Sequence, residues 1–172
     1  MVEKFRDWAS PKSKVSKVLQ HINNSYMYSL NIANDSMIEW LRLRGNFYRK
    51  SYECKIYIPI TWNILRGIFD GDGGFRTHNK RGLSFFICSK SEVFINQISY
   101  FLKKHGLHPF IGNQQGLFYV SIYRQSEIIL LGKYLYNSAH IYLNRKYERW
   151  LAFYESRKAN GVNSGKGMVT QP

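Results

Sequence analysis

Ile60-Thr61-Trp62-Asn63-Ile64-Leu65-Arg66-Gly67-Ile68-Phe69-Asp70-Gly71-Asp72-Gly73-Gly74 is the stretch on which the reading of this chain turns. After Pro59, residues 60 to 69 read as a helix: Trp62, Leu65 and Phe69 fall near one face, with Ile64 and Ile68 beside it. Gly67 and Gly71 stand four apart and so share a face that presents bare backbone, where a second helix can approach closely. Each glycine costs about 1 kcal/mol of helix propensity against Ala. A helix that merely faces solvent gains nothing in return.

The C-terminal end of such a helix carries unpaired carbonyls and the negative end of the dipole. Asp70 and Asp72 add two carboxylates there, an unfavourable arrangement unless a cation joins them. A hard divalent ion prefers such oxygen ligands. A calcium loop of the EF-hand kind, counted from Asp70, places Arg81 at its twelfth position, where a carboxylate is needed. Two readings stay open from the residues: a plain Asp-Gly turn out of the helix, and a metal-dependent phosphodiesterase.

Charge favours a polyanionic partner. Across 172 residues, 25 Lys and Arg face 11 Asp and Glu, a net charge of +14 with pI near 9.8. Nucleic acid is the first candidate, beside the bland reading that a basic surface only keeps the chain soluble. An anionic membrane surface calls for a long basic amphipathic helix that the sequence does not offer. No apolar run approaches the roughly 18 to 20 residues of a membrane span, and the first residues lack a signal-peptide core. The expected setting is intracellular: cytoplasm or nucleoid of a bacterium or phage-infected cell, or an organelle. Cys54 and Cys88 show neither zinc-ligand spacing nor a disulfide framework and are expected to be small buried apolar residues. The scattered histidines His21, His78, His105, His108 and His140 give no metal-ligand pattern.

Strand and helix signals alternate along the chain. Residues 25 to 32 alternate as a strand, Asn23-Asn24 offers a turn, and Asp35 with Ser36 offers an N-cap for a helix that stops at Gly45. A strand pair at 47 to 50 and 53 to 58 follows. Further on, residues 83 to 89 read as a strand, Ser91 as a cap, 93 to 102 as a helix, and Asn113 to Gly116 as a turn between two strands. Tyr28 to Asn34 laid over Leu83 to Ser89 suggests a weak internal repeat. The divisions expected are a mobile basic N-terminus at 1–14, a partial degenerate half-repeat at 15–59, the main half at 60–155 and a mobile C-terminal tail at 156–172.

Leu65 to Gly73, with Phe75 following, resembles the LAGLIDADG motif in its Asp-Gly-Asp-Gly variant, the signature of a family of homing endonucleases. The resemblance covers residues 60 to 155 well and the first part of the chain faintly. It implies an α+β fold of order αββαββα, with antiparallel sheets forming a saddle in the DNA major groove, here preceded by a degenerate half-repeat lacking its motif helix. The implied activity is site-specific hydrolysis of phosphodiester bonds in double-stranded DNA with Mg²⁺ or Mn²⁺, in the service of intron or intein mobility. A non-cleaving DNA- or RNA-binding protein of the same fold, an intron maturase or a regulator, is the alternative.

Carried over by position, Asp72 is the metal-binding and catalytic carboxylate, helped by the backbone carbonyl of Gly71 or Gly73, while Asp70 braces the helix end. Lys146, within Tyr142-Leu143-Asn144-Arg145-Lys146, matches the family's basic residue near the attacking water, and Ser89 or Lys90 matches its polar active-site position. Gly67 and Gly71 are the implied helix interface. DNA contacts are expected from Arg49, Lys50, Lys55, Arg76, Lys80, Arg81, Tyr119, Ser121, Tyr123 and Arg124, one face of each strand pointing at bases. With one motif in the chain, cutting both strands needs a homodimer or a second chain that supplies another motif helix; a homodimer implies a roughly palindromic target.

Overall fold

The computed structural model describes residues 3, 6–7, 10, 12–20, 25–32, 34–46, 50–78 and 82–159. An antiparallel pair, β1 (Val15–Gln20) and β2 (Ser25–Leu30), is followed by helix α1 (Asp35–Arg42). The α1 cap is Asn34, whose side chain accepts from the Met37 amide, one residue earlier than Asp35; Asp35 then sits in the first turn, favourable against the dipole. β3 (Gly45–Asn46) pairs with β4 (Lys55–Ile56) as a short ribbon. Between them lies one helical turn, α2 (Lys50–Glu53), where the sequence suggested extended chain at Lys50. The Asn23-Asn24 turn and residues 47 to 49 lie outside the described residues.

From Trp62 onward the elements run α3 (Trp62–Asp72), β5 (Gly73–His78), β6 (Gly82–Ser89), α4 (Glu92–Lys104), β7 (Phe110–Gln114), β8 (Leu117–Ile122), α5 (Gln125–Tyr136) and α6 (Asn144–Ala159). The strands form one antiparallel sheet in the order β5-β6-β8-β7. Ser91 caps α4, accepting from the Phe94 amide. The helix closes with Gly106 at φ +75° and bonds from Leu107 N to Leu102 O and from Gly106 N to Lys103 O. That pattern needs a left-handed residue after the cap, which glycine adopts without strain. Gln115 and Gly116, both at positive φ, make the two-residue turn between β7 and β8.

Period-two alternation sends Phe75, Leu83, Phe85, Ile87, Val120 and Ile122 to one face of the sheet. The helices cover that face: Leu65 and Phe69 from α3, Ile95, Ile98 and Leu102 from α4, and Ile128, Leu131 and Leu135 from α5 are buried there. Phe69 stacks on Phe85, with ring centroids 4.9 Å apart, and meets Phe75 edge-on. α6 brings Trp150, whose indole donates to the Ile128 carbonyl and lies across Gly132 of α5. Cys54 and Ile56 join the same core: Ser91 Oγ donates to the Cys54 carbonyl, and the Gln97 amide brackets Ile56 N and O. Residues 54 to 56 therefore pack with the part of the chain that follows them. α6 continues as helix through Ala159, beyond the expected boundary at 155. Among the described residues no helix is long and apolar enough to cross a membrane.

Candidate functional site

The site grows from the end of α3. Thr61 Oγ1 caps its start by accepting from Ile64 N. At the other end the chain passes from Asp72 directly into β5, and the Gly73 amide donates to the Phe69 carbonyl. A Cβ on Gly73 would meet Phe69 Cδ2 at 2.6 Å, Ile87 Cγ1 at 2.9 Å and the Phe86 carbonyl at 2.9 Å, so only glycine allows a helix to run straight into the sheet here.

Lys146, 4 % exposed, reaches in from α6 and donates to the carbonyls of Phe69, of Asp70 at 3.0 Å and of Gly73 at 2.6 Å. An ammonium thus closes the negative end of α3 and ties helix end, strand start and α6 together. Burial pushes the Lys146 pKa down, against the pull of the Asp70 and Asp72 carboxylates. Asp70 turns inward: Oδ2 accepts from Leu143 N at 3.0 Å, while Oδ1 is buried with no hydrogen-bond partner. Burial raises its pKa, countered by the Leu143 amide and by the charges of Lys146, Arg66 and Arg145. Tyr136 Oη is also buried with no hydrogen-bond partner, and burial, then Asp70, pushes the phenol pKa up. Arg66 completes the clamp, donating to the carbonyls of Leu135 and Ile141 and to Asn63 Oδ1.

Asp72 is exposed at this helix end, with the Gly71 carbonyl adjacent in the chain. Its neighbour across the sheet is Cys88, whose thiol lies 3.8 Å from the Asp72 carbonyl oxygen. Cys88 is half-buried and free, on the outward face of β6, so the expectation that it is a buried filler gives way to a position in the site; Cys54 is buried as expected. Burial and then the Asp72 charge raise the Cys88 pKa. The clue lay in the strand itself: with Leu83, Phe85 and Ile87 inward, position 88 must face out.

The other expected positions separate. Lys90 is exposed and donates to Tyr52 Oη at 3.0 Å, which lowers the Tyr52 pKa. Ser89 Oγ accepts from the Ser91 amide. Arg76, Tyr119, Ser121 and Tyr123 line one depression of about 260 Å³ on the outward sheet face, together with His78 and Ser84, which the sequence reading did not place there. His78 Nε2 and Ser84 Oγ are 2.9 Å apart. Arg124 lies past the end of β8 and bonds Glu127, and Lys55 is exposed on the β3–β4 ribbon. Lys50 belongs to α2; Arg49, Lys80 and Arg81 lie outside the described residues.

Gly67 and Gly71 are both exposed, and a Cβ on either would meet nothing within 4 Å. Among the described residues no group of three or more His, Cys, Asp or Glu side chains gathers at one place. The donor set for a cation at the helix end is therefore one carboxylate and backbone oxygen. No family model matches the chain, and no curated protein matches it.

Proposed function

We propose that the chain is a metal-dependent, site-specific DNA endonuclease of the LAGLIDADG type, acting on duplex DNA across the outward face of its four-stranded sheet. The observation that carries the reading is the exposed Asp72 carboxylate at the point where α3 enters the sheet, with the Lys146 ammonium held just beneath it. The +14 charge supplies the attraction for phosphates, steeply dependent on salt.

Asp72 would hold the cation, with the Gly71 carbonyl beside it. A bound Mg²⁺ or Mn²⁺ supplies an activated water and stabilises charge on the leaving oxygen. Lys146 acts as a positioning residue: it fixes the Phe69, Asp70 and Gly73 carbonyls and so fixes where the Asp72 side chain starts. Asp70 braces the same end through Leu143. The open face of α3 at Gly67 and Gly71 is the surface through which a second copy or another chain would bring a second site and cut the other strand.

The test is incubation of the protein with Mg²⁺ and duplexes spanning the flanks of its own gene. Wild type is expected to cut at a defined site. Asp72→Asn, its folding checked by circular dichroism, is expected to bind and not cut, and Lys146→Met to cut about 100-fold more slowly through misplacement of the carboxylate. Cutting that survives Asp72→Asn overturns the mechanism.

A second reading, a non-cleaving DNA- or RNA-binding protein built on the same sheet, is favoured by one observation: Lys90 and Ser89, the two candidates for one active-site position, are engaged with Tyr52 and the Ser91 amide. Wild-type binding without cutting selects it.

A further inference from the structure

Two aromatic side chains on the outward sheet face lie down against glycines. A Cβ on Gly74 would come 2.9 Å from Cζ of Phe86, and one on Gly112 would run into the Tyr119 ring. Each is a direct cross-strand pair, Gly74 with Phe86 and Gly112 with Tyr119. Without a facing side chain, each ring tips outward from the inner strands β6 and β8 over an edge strand. The floor between them is made of small residues: Ser121 opposite Phe86, Cys88 opposite Tyr119, and Ser84 alongside, with both serines 4 % exposed. The result is the depression of about 260 Å³ described above. The Arg76 guanidinium stands 5.2 Å from the Phe86 ring, and Phe110 extends the aromatic surface 6.2 Å from Tyr119.

In the major groove a fully paired duplex offers only base edges, which polar side chains read by hydrogen bonds and apolar ones by contact with thymine methyls. Flat rings have nothing to stack on there, because each base face is already covered by its neighbours. An unpaired base offers both a π-face and its pairing edge. The depression matches those two needs, with rings at its sides, hydroxyls and His78 within it, and a cation at its rim for the adjoining phosphate.

We infer that this depression binds one unpaired nucleobase, stacked against Phe86 and Tyr119, from a single strand or turned out of a duplex. The inference rests on the nucleic-acid reading of the sheet but not on cleavage. Fluorescence anisotropy with four labelled oligonucleotides of one sequence tests it: single-stranded DNA, single-stranded RNA, full duplex, and duplex with a one-base bulge. At least one unpaired ligand is expected to bind more tightly than the full duplex. Phe86→Ser and Tyr119→Ser, each on the outer face and checked by circular dichroism, are expected to weaken that ligand about fivefold or more each, and by a larger factor than they weaken the full duplex. Stacking is read separately by quenching of 2-aminopurine at the bulged position, lost in both variants. Duplex binding with no preference for unpaired ligands, or equal losses for all four, overturns the inference and leaves the reading of the sheet as a duplex surface intact. Absence of binding to all four overturns both.

Discussion

Residues 15–44 and residues 62–159 both alternate strands and helices, but they differ in what those elements cover. In the later region the sheet has a buried face with Phe69, Phe85, Ile87 and Ile95 fully enclosed. In the earlier one, α1 contributes no buried residue, and Trp40, Leu43, Tyr26 and Tyr28 are each about half exposed or more. Lys17 rests its ammonium on the Tyr26 ring, 3.9 Å from the centroid, which covers part of one of them. An amphipathic element stabilises a fold only when another layer faces it. The later region has that layer because α3, α4, α5 and α6 converge on one sheet; a two-stranded pair beside a single short helix does not provide it.

The sharpest way to break this contrast is Phe69→Ala, expected to cost about 3–5 kcal/mol in urea unfolding, since the ring is fully buried against Phe75 and Phe85. A loss below about 1 kcal/mol would mean that the core lies elsewhere. Next in size, Gly132→Ala drives a methyl into the Trp150 indole and is expected to cost about 1–3 kcal/mol. Gly67→Ala reverses the sign. Its Cβ meets nothing, so the isolated chain should gain about 0.5–1 kcal/mol from helix propensity, while sedimentation should show weaker self-association if that face is the dimer contact.

Asp70→Asn tests the clamp by pH. Burial holds the Asp70 carboxyl above its ordinary pKa, so the folded state binds this proton more tightly than the unfolded state does. The stability this gives is full below the unfolded value of about 3.9 and is lost as pH rises through the folded value. Asparagine cannot ionise; the variant's stability curve should stay flatter from about pH 4 upward, and parallel curves would show that Asp70 carries no such burden. The smallest effect belongs to Trp40→Ala, within about 0.5 kcal/mol. A loss above about 2 kcal/mol would mean that α1 is covered in solution.

What could be read from the residues was local. Ser91 stands as the cap, the helix read at 93 to 102 runs on to Lys104, and the turn read at Asn113 to Gly116 narrows to Gln115-Gly116, because each depends on a few neighbouring residues. Period two turns Leu83, Phe85 and Ile87 of β6 inward and by the same rule turns Cys88 outward. Asn34 displaced Asp35 as the α1 cap because all of these side chains can cap, and the choice rests on where the chain leaves β2. The bond from Lys90 was not legible for another reason: a long flexible side chain goes to the partner within reach, here Tyr52, and that partner lies 38 residues away. The inward turn of Asp70 likewise depends on Leu143, which no local pattern announces.

The Lys146 clamp also sets an order of events in the life of the chain. Lys146 lies 77 residues after Phe69, whose carbonyl it holds. At ribosomal rates of about 5–20 residues per second, the acidic helix end exists for roughly 4–15 s before its cation emerges. Through that interval the carbonyls of Phe69, Asp70 and Gly73 lack the ammonium that joins them and turn to water, and Asp72 has no fixed base to project from. A ribosome product stopped short of α6 would carry the acidic motif yet lack the geometry around it, which makes α6 the last part of the site to arrive.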